Sequence, residues 1–339
     1  MRKTAVFFLL FAAFSANLSA AQRETPRNMI LIGWDGAQRN HIKECLERKE
    51  LPNLMQLASE GAIAAIDVLR ITDTKSGWAQ ILTGYEPEVT GVFSNGRYRP
   101  IPRGYTVFER LEQHFGPDNI VTSAVIGKKG HVDADGPQRI PFKEFQKKKP
   151  AQKKKLLQAG GRVTGKNGAK CLEIPGKPYY YTKDGMDVFL NGLGTNENVG
   201  VKAMEFLEKY QDKRFFFFIH FPEIDHQGHK YGENSKEYND ALISSDLWTG
   251  RIIQKLRELK LYERTIIFIT ADHGFDEGMK THQDAPYVFL AANDRRAVRR
   301  GSRCDIAPTI LELFGLDLKK INPPLDGHPL TKPYEPPAW

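Results

Sequence analysis

The sequence predicts an α/β fold, a three-layer α/β/α sandwich with a largely parallel central sheet. Three observations predict it. Continuous apolar runs at 29–33, 215–219 and 265–270 lack the alternation of a half-exposed strand and read as strands buried on both faces. Helical patterns stand between them, as parallel pairing requires. Each run is followed by ionisable residues, and in open α/β sheets ligands gather at the carboxyl ends of strands.

The chain has 339 residues, enough for one large domain or two smaller ones. With 40% hydrophobic and 11% aromatic residues, disorder is excluded as its main state. Residues 1–21 read as a secretory leader: Arg2 and Lys3, an apolar run from Ala5 to Phe14, then small Ser19, Ala20 and Ala21 before Gln22. The run is too short to span a membrane, and no Cys follows it to carry a lipid. The mature chain, 22–339, is therefore expected to be exported, periplasmic or secreted. Cys45, Cys171 and Cys304 match no metal spacing; two could pair, but three buried free thiols are the plainer expectation.

The remaining elements follow in order. Residues 51–60 place Leu54, Leu57 and Ala58 on one helical face. Ser76 to Thr83 reads as a helix stopped at Gly84. A third helix is expected over 106–114 and a buried strand over 120–126. Residues 139–170, with Lys147–Lys149, Lys153–Lys155 and several glycines, read as an irregular surface segment within an insertion or small cap of about 131–195. Tyr179, Tyr180, Tyr181 and Phe189 could form the core of that cap or stack on a substrate ring. Helices are expected again at 196–210, 235–259 and 304–315, the last with Pro308 near its start and Gly315 past its end.

The formal charge of +8 suggests a polyanion binder until it is located. Residues 139–170 hold eleven Lys or Arg and one acidic residue, Glu144. The rest of the mature chain is therefore net acidic, about −4 by the same counting. The basic character belongs to one segment, which is either a solvated loop or an arm for an anionic envelope surface or substrate. No specific nucleic-acid partner is expected.

Asp35 follows the first run, Asp225 and His229 the second, and Asp272 with His273 the third; His282 lies just beyond. Carboxylate with imidazole suits zinc or a similar metal better than calcium or magnesium. A lone Asp after a strand is more often a turn or cap, and His220, inside a run, and His226 are read as outside the site. Thr74 and Ser76 precede a helix, where free N–H groups favour anions. Either could be a nucleophile or only an N-cap.

As an ordered set these residues resemble the alkaline phosphatase superfamily, and within it the type I phosphodiesterase/nucleotide pyrophosphatase group. Asp35 sits in Gly-Trp-Asp-Gly, and Thr74 stands nine residues before Thr83-Gly84. Tyr85–Gly91 resembles the group's Tyr-Pro-Glu-x-x-Gly continuation. Asp225 and His229 match Asp-x-x-x-His, with Lys230-Tyr231-Gly232 trailing, and 272–274 matches Asp-His-Gly. Residues 305–311 are similar to the superfamily's closing helix. The likeness covers about 28–92 and 215–330. It implies an alkaline phosphatase-like fold and two divalent metals, zinc by their donor set. One would be held by Asp225, His229 and His282, the other by Asp35, Asp272, His273 and the Thr74 oxygen. It implies hydrolysis of a small phosphate ester, a phosphodiester or nucleotide pyrophosphate, through a phosphothreonine on Thr74.

Two departures qualify the likeness. The group has Asn three residues after its nucleophile, where this chain has Gly77. Ile126–His131 resembles the sulfatase signature Gly-Lys-x-x-His, so Lys128 and His131, with Lys75, are candidates for phosphoryl oxygens. A phosphomonoesterase or sulfatase-like hydrolase is the alternative, and a catalytically dead binding module a further one. Against a sulfatase, Thr74 cannot give formyl-glycine, and Trp78 and Gln80 stand where Ser76 would need Pro or Ala and then Arg.

Overall fold

The computed structural model describes residues 28–69, 71–165, 170–285, 287–296 and 299–331; the expected leader lies outside them. The chain runs β1 (Asn28–Trp34), α1 (Arg39–Glu47), α2 (Pro52–Glu60), β2 (Ala62–Asp67), α3 (Thr74–Thr83), α4 (Pro87–Thr90), α5 (Val107–Phe115) and β3 (Val121–Ile126). It continues with β4 (Gln138–Pro141), α6 (Phe142–Lys147), α7 (Pro150–Gln158), β5 (Arg162–Thr164), β6 (Cys171–Ile174) and β7 (Val188–Asn191). The last part is α8 (Asn196–Lys209), β8 (Phe215–Phe221), α9 (Glu223–Tyr231), α10 (Lys236–Glu258), β9 (Thr265–Thr270), β10 (Tyr287–Ala292), β11 (Gly301–Ser302) and α11 (Ile306–Leu313).

Eight strands form one sheet in the order β11-β2-β10-β9-β1-β8-β3-β7. Strand β1 is parallel to both neighbours, with Ile30 opposite Phe217 of β8 and Ile267 of β9. Pairing stays parallel through β3 and β7, while β10 runs antiparallel to β9 and β2. The three apolar runs of the sequence are thus the central strands, each buried along its whole length.

Strand alternation assigns the two helical layers. A Cβ on Gly33 would lie 2.3 Å from Trp78 of α3, so only glycine lets that helix approach. The next residue, Trp34, turns to the other face and donates to Thr249 of α10. Helices α3, α5 and α11 pack together on the first side, and α2, α8, α9 and α10 on the second. In β8, Phe216 meets Phe108 of α5, while Phe217 meets Tyr210 just past α8. Each fully buried Phe of this strand contributes roughly 1.5–3 kcal/mol. Local signals fix helix starts: Thr106 and Glu109 form a capping box, and Ser235 accepts from the Tyr238 N–H.

Two expectations need correction. Residues 139–170 are not irregular. Strands β4, β6 and β5 form a small antiparallel sheet, and Phe145, Leu172 and Ile174 give it a separate apolar cluster. Its strands are three or four residues long and α7 buries no side chain, so periodicity cannot reveal it. Helix α3 starts at Thr74 rather than Ser76, with Asp73 in the cap position in extended conformation. Neither Thr74 nor Ser76 is therefore an N-cap. The three cysteines are buried and free.

Candidate active site

The carboxyl ends of β1, β8 and β9 converge at one end of the sheet. Asp35 leaves β1 with its N–H bonded to the carbonyl of Phe221. Gly36 then turns at a φ of +78°, and a Cβ there would stand 3.0 Å from Asp225. Asp225 and His229 lie one turn apart on α9 and so share a face. Asp272 and His273 follow β9 directly, and Asp272 Oδ1 accepts the Gly36 N–H at 3.3 Å.

These groups surround one point. His273 Nε2 is 3.5 Å from Asp35 Oδ1, 3.7 Å from Asp225 Oδ1 and 3.4 Å from Asp272 Oδ2. Thr74 Oγ1, on the first residue of α3, is 3.1 Å from the same nitrogen. His229 Nε2 lies 3.2 Å from Asp225 Oδ1. The His282 ring stacks on His273 with centroids 3.9 Å apart.

Lys128 donates to Asp225 Oδ2, and His131 Nδ1 meets Asp35 Oδ2 at 2.6 Å. Lys75 lies beside Thr74, but its ammonium sits over the Tyr98 ring, 5.7 Å from the centroid. The structure thus brings Asp35, Thr74, Asp225, His229, Asp272, His273 and His282 together, with Lys128 and His131 on two of the carboxylates, while the Lys75 ammonium stands apart over Tyr98.

Two further residues join them, one expected outside the site and one that no sequence motif singles out. His220, fully buried at the end of β8, meets Asp35 Oδ2 at 2.8 Å, which corrects its placement outside the site. Its position one residue before the strand end is the signal the sequence holds. Asn95 accepts the Lys75 N–H at 3.0 Å through Oδ1, which leaves its Nδ2 donors for another acceptor beside the start of α3. His226 is exposed on α9.

The Gly77 departure has a steric cause. A Cβ there would lie 2.7 Å from the Asp272 carbonyl oxygen and 2.9 Å from the Arg303 guanidinium. Arg303 is buried and donates to the carbonyls of Asp272 and Ile71, both at 2.6 Å. Burial pushes it down to about 10.

The electrostatics are those of a cation site. Burial opposes ionisation of Asp35, but His131 and His220 hold its carboxyl well below the usual range. Burial and Asp35 oppose ionisation of Asp225, which His229, His273 and Lys128 nevertheless keep low. Asp272 is pushed well above the ordinary value by burial and by Asp35 and Asp225. Burial and then His273 push His282 down to about 4, so it is a neutral imidazole. Burial and then Lys177 lower Lys75 to about 8.

The residues fit metal ions by a direct test. Asp35 Oδ1, Asp225 Oδ1, Asp272 Oδ2 and His282 Nδ1 are buried without hydrogen-bond partners. Buried charge without a partner is costly, and clustered carboxylates need a cation. His273 Nδ1 faces the Gly274 carbonyl at 2.9 Å and His229 Nδ1 the Lys280 carbonyl at 2.9 Å. Each carbonyl fixes the proton on Nδ1 and leaves Nε2 as a lone-pair donor, the arrangement of metal-ligating histidines. Asp225, His229 and His282 form one group with donor atoms within 4.8 Å of one another. Asp35, Asp225 and His273 form a second, and Asp35, His131 and His220 a third.

Comparison with known proteins agrees with this geometry. The family model for type I phosphodiesterase / nucleotide pyrophosphatase matches residues 29–321. Human bis(5'-adenosyl)-triphosphatase ENPP4 is 23% identical over 279 residues, covering 81% of this chain and 53% of that protein. Ectonucleotide pyrophosphatase/phosphodiesterase family member 7 of Rattus norvegicus is 24% identical over 265 residues, covering 78% and 53%. This chain thus spans about half the length of those relatives. A solved protein of the alkaline phosphatase superfamily from Vibrio parahaemolyticus superposes with a TM-score of 0.56 at 18% identity, covering 92% and 71% of the two chains.

Proposed function

The chain belongs to the type I phosphodiesterase/nucleotide pyrophosphatase family, and from that premise we propose that it hydrolyses phosphodiester or pyrophosphate bonds of a small substrate with Thr74 as nucleophile. The observation that carries this reading is the Thr74 hydroxyl at the start of a buried helix, 3.1 Å from His273 Nε2, the nitrogen around which three unpartnered carboxylate oxygens lie.

Two divalent cations, zinc by the mix of carboxylate and imidazole, would lower the hydroxyl pKa and offset negative charge on the phosphoryl group. Asp225, His229 and His282 would hold one; Asp35, Asp272, His273 and Thr74 the other. The start of α3 offers N–H groups to the equatorial phosphoryl oxygens, with the Asn95 amide and Lys75 alongside. Thr74 Oγ1 forms a bond to phosphorus as the bond to the leaving oxygen breaks, and the hydroxyl proton departs with that leaving oxygen. The phosphothreonine ester is then cleaved by water, which returns a proton to Thr74. His131 and His220 hold the Asp35 carboxylate in place through the oxygen that does not face His273.

A diester suits the site better than a monoester. Lys128, a cation that could serve a dianion, is engaged by Asp225. The leader pattern at 1–21 supports work outside the cytoplasm, periplasmic or secreted.

The test measures metal content and turnover of matched 4-nitrophenyl phosphate diester, monoester and sulfate, with Thr74→Ala and His282→Ala beside the parent. The reading expects bound divalent metal, diester turnover above the other two, and loss of activity in both variants. Monoester or sulfate turnover well above diester turnover would replace the substrate assignment, and a metal-free protein that no divalent ion activates would replace the enzyme.

A further inference from the structure

A cavity of about 920 Å³ lies between the 96–99 loop and the small sheet. Arg97, Arg99, Arg139 and Arg162 line it, with Glu173 as its one lining carboxylate among the described residues. Strand register sets three of these in a row. Glu173 of β6 stands opposite Arg139 of β4 on one side and Arg162 of β5 on the other. Residues directly opposite in a sheet share a face, so the row presents two guanidinium groups flanking one carboxylate.

Glu173 pairs with Arg139 at 3.3 Å. Arg97, Arg99 and Arg162 have no ion-pair partner among the described residues. The cavity therefore carries a surplus of planar cations, whose forked donors suit phosphate.

It adjoins the reaction centre. Tyr98 is one of its walls, and the ammonium of Lys75, the residue after Thr74, sits 5.7 Å from the centroid of that ring. Lys177 donates to the Tyr98 hydroxyl. Gly96, also in the wall, follows Asn95, which binds the start of α3. At this volume the cavity accepts a group of nucleotide size.

We propose that this cavity is the subsite for an anionic extension of the substrate, namely further phosphate groups beyond the scissile phosphorus. This rests on the phosphodiester or pyrophosphate reading above. It gives the basic segment of the sequence a specific role, because the small sheet sets Arg139 and Arg162 in the wall of this cavity. Clefts lined by one sign of charge concentrate oppositely charged ligands, and the effect falls with ionic strength.

The experiment compares the parent enzyme with an Arg139→Glu/Arg162→Glu double variant, both exposed positions. Turnover is measured on ATP, which extends beyond the scissile phosphorus as phosphate, and on bis(4-nitrophenyl) phosphate, which does not. Binding of tripolyphosphate and of citrate is measured by calorimetry on both proteins; any chelation at the catalytic end is common to the two and cancels in the comparison. The variant is expected to raise KM for ATP at least tenfold with kcat within twofold, to leave bis(4-nitrophenyl) phosphate within twofold, and to weaken tripolyphosphate binding at least tenfold. Equal effects on the two substrates, or unchanged tripolyphosphate binding, would overturn the subsite. Citrate bound more tightly than tripolyphosphate would overturn its assignment to phosphate. If the parent turned over neither substrate, the function proposed above would fail, while the tripolyphosphate comparison would still decide the subsite.

Discussion

His220 Nε2, on β8, and Asp35 Oδ2, just past the end of the adjacent β1, stand 2.8 Å apart, both residues fully buried. The contact orients Asp35 so that its other oxygen faces His273. Partners behind a metal-ligating carboxylate typically contribute 10–100-fold to affinity or activity. His220→Leu is expected to weaken divalent-metal affinity about tenfold or more. A metal titration followed by activity and by direct metal analysis checks this, and parent-like affinity would remove His220 from the site.

Gly77 is expected to tolerate no side chain. In Gly77→Ala the new methyl would press on the Asp272 carbonyl and on the Arg303 guanidinium. Overpacking of this kind costs about 1–3 kcal/mol. It would also move Asp272, so kcat/KM is expected to fall at least tenfold along with a lower denaturant midpoint. Gly77→Asn, which restores the residue common in the family, is expected to be worse than Gly77→Ala. Activity above the parent in Gly77→Asn would show that the Arg303 packing does not exclude that side chain.

His41 gives a pH signature away from the site. It is buried against Glu233, with Nδ1 2.7 Å from Oε1, and lies edge-on to Tyr238. Burial works against its charge, but contacts with Cys45 and Glu233 raise it from 6.5 to about 10. A folded value above the unfolded one means that folding takes up a proton. The stabilisation is therefore whole below pH 6.5 and is lost as pH rises towards 10. His41→Ala leaves Glu233 buried without this partner and is expected to cost about 3–5 kcal/mol at neutral pH. Denaturant unfolding from pH 6 to 10 should show the gap between parent and variant closing as pH rises. A gap constant across that range would contradict the assignment.

The parts legible in the sequence are those whose burial is complete. The runs that form β1, β8 and β9 are apolar on both faces, so continuity alone marks them. Strand β2 carries three alanines and is only partly buried beside the short edge strand β11, so it has neither a continuous nor a clearly alternating pattern. The small sheet escapes for a related reason: its exposed faces are arginine and glutamate, which read as loop until register puts them side by side.

At the site, Asp35, Asp225, Asp272 and the histidines that follow them are marked by their places after strands. His220 is hidden because it continues the phenylalanine run, and only the pairing of β8 with β1 brings its ring to Asp35. The role of Thr74 turns on backbone conformation: with Asp73 extended, Thr74 becomes the first helical residue and its hydroxyl is free to face His273.

The central claim is that Thr74 becomes covalently attached to phosphorus. Rapid acid quench during turnover of a diester, followed by peptide mass spectrometry, tests it most directly. The account predicts a phosphoryl adduct on Thr74 of the parent, absent in Thr74→Ala, which should also be inactive. Full turnover by Thr74→Ala, or an adduct on any other residue, would contradict it.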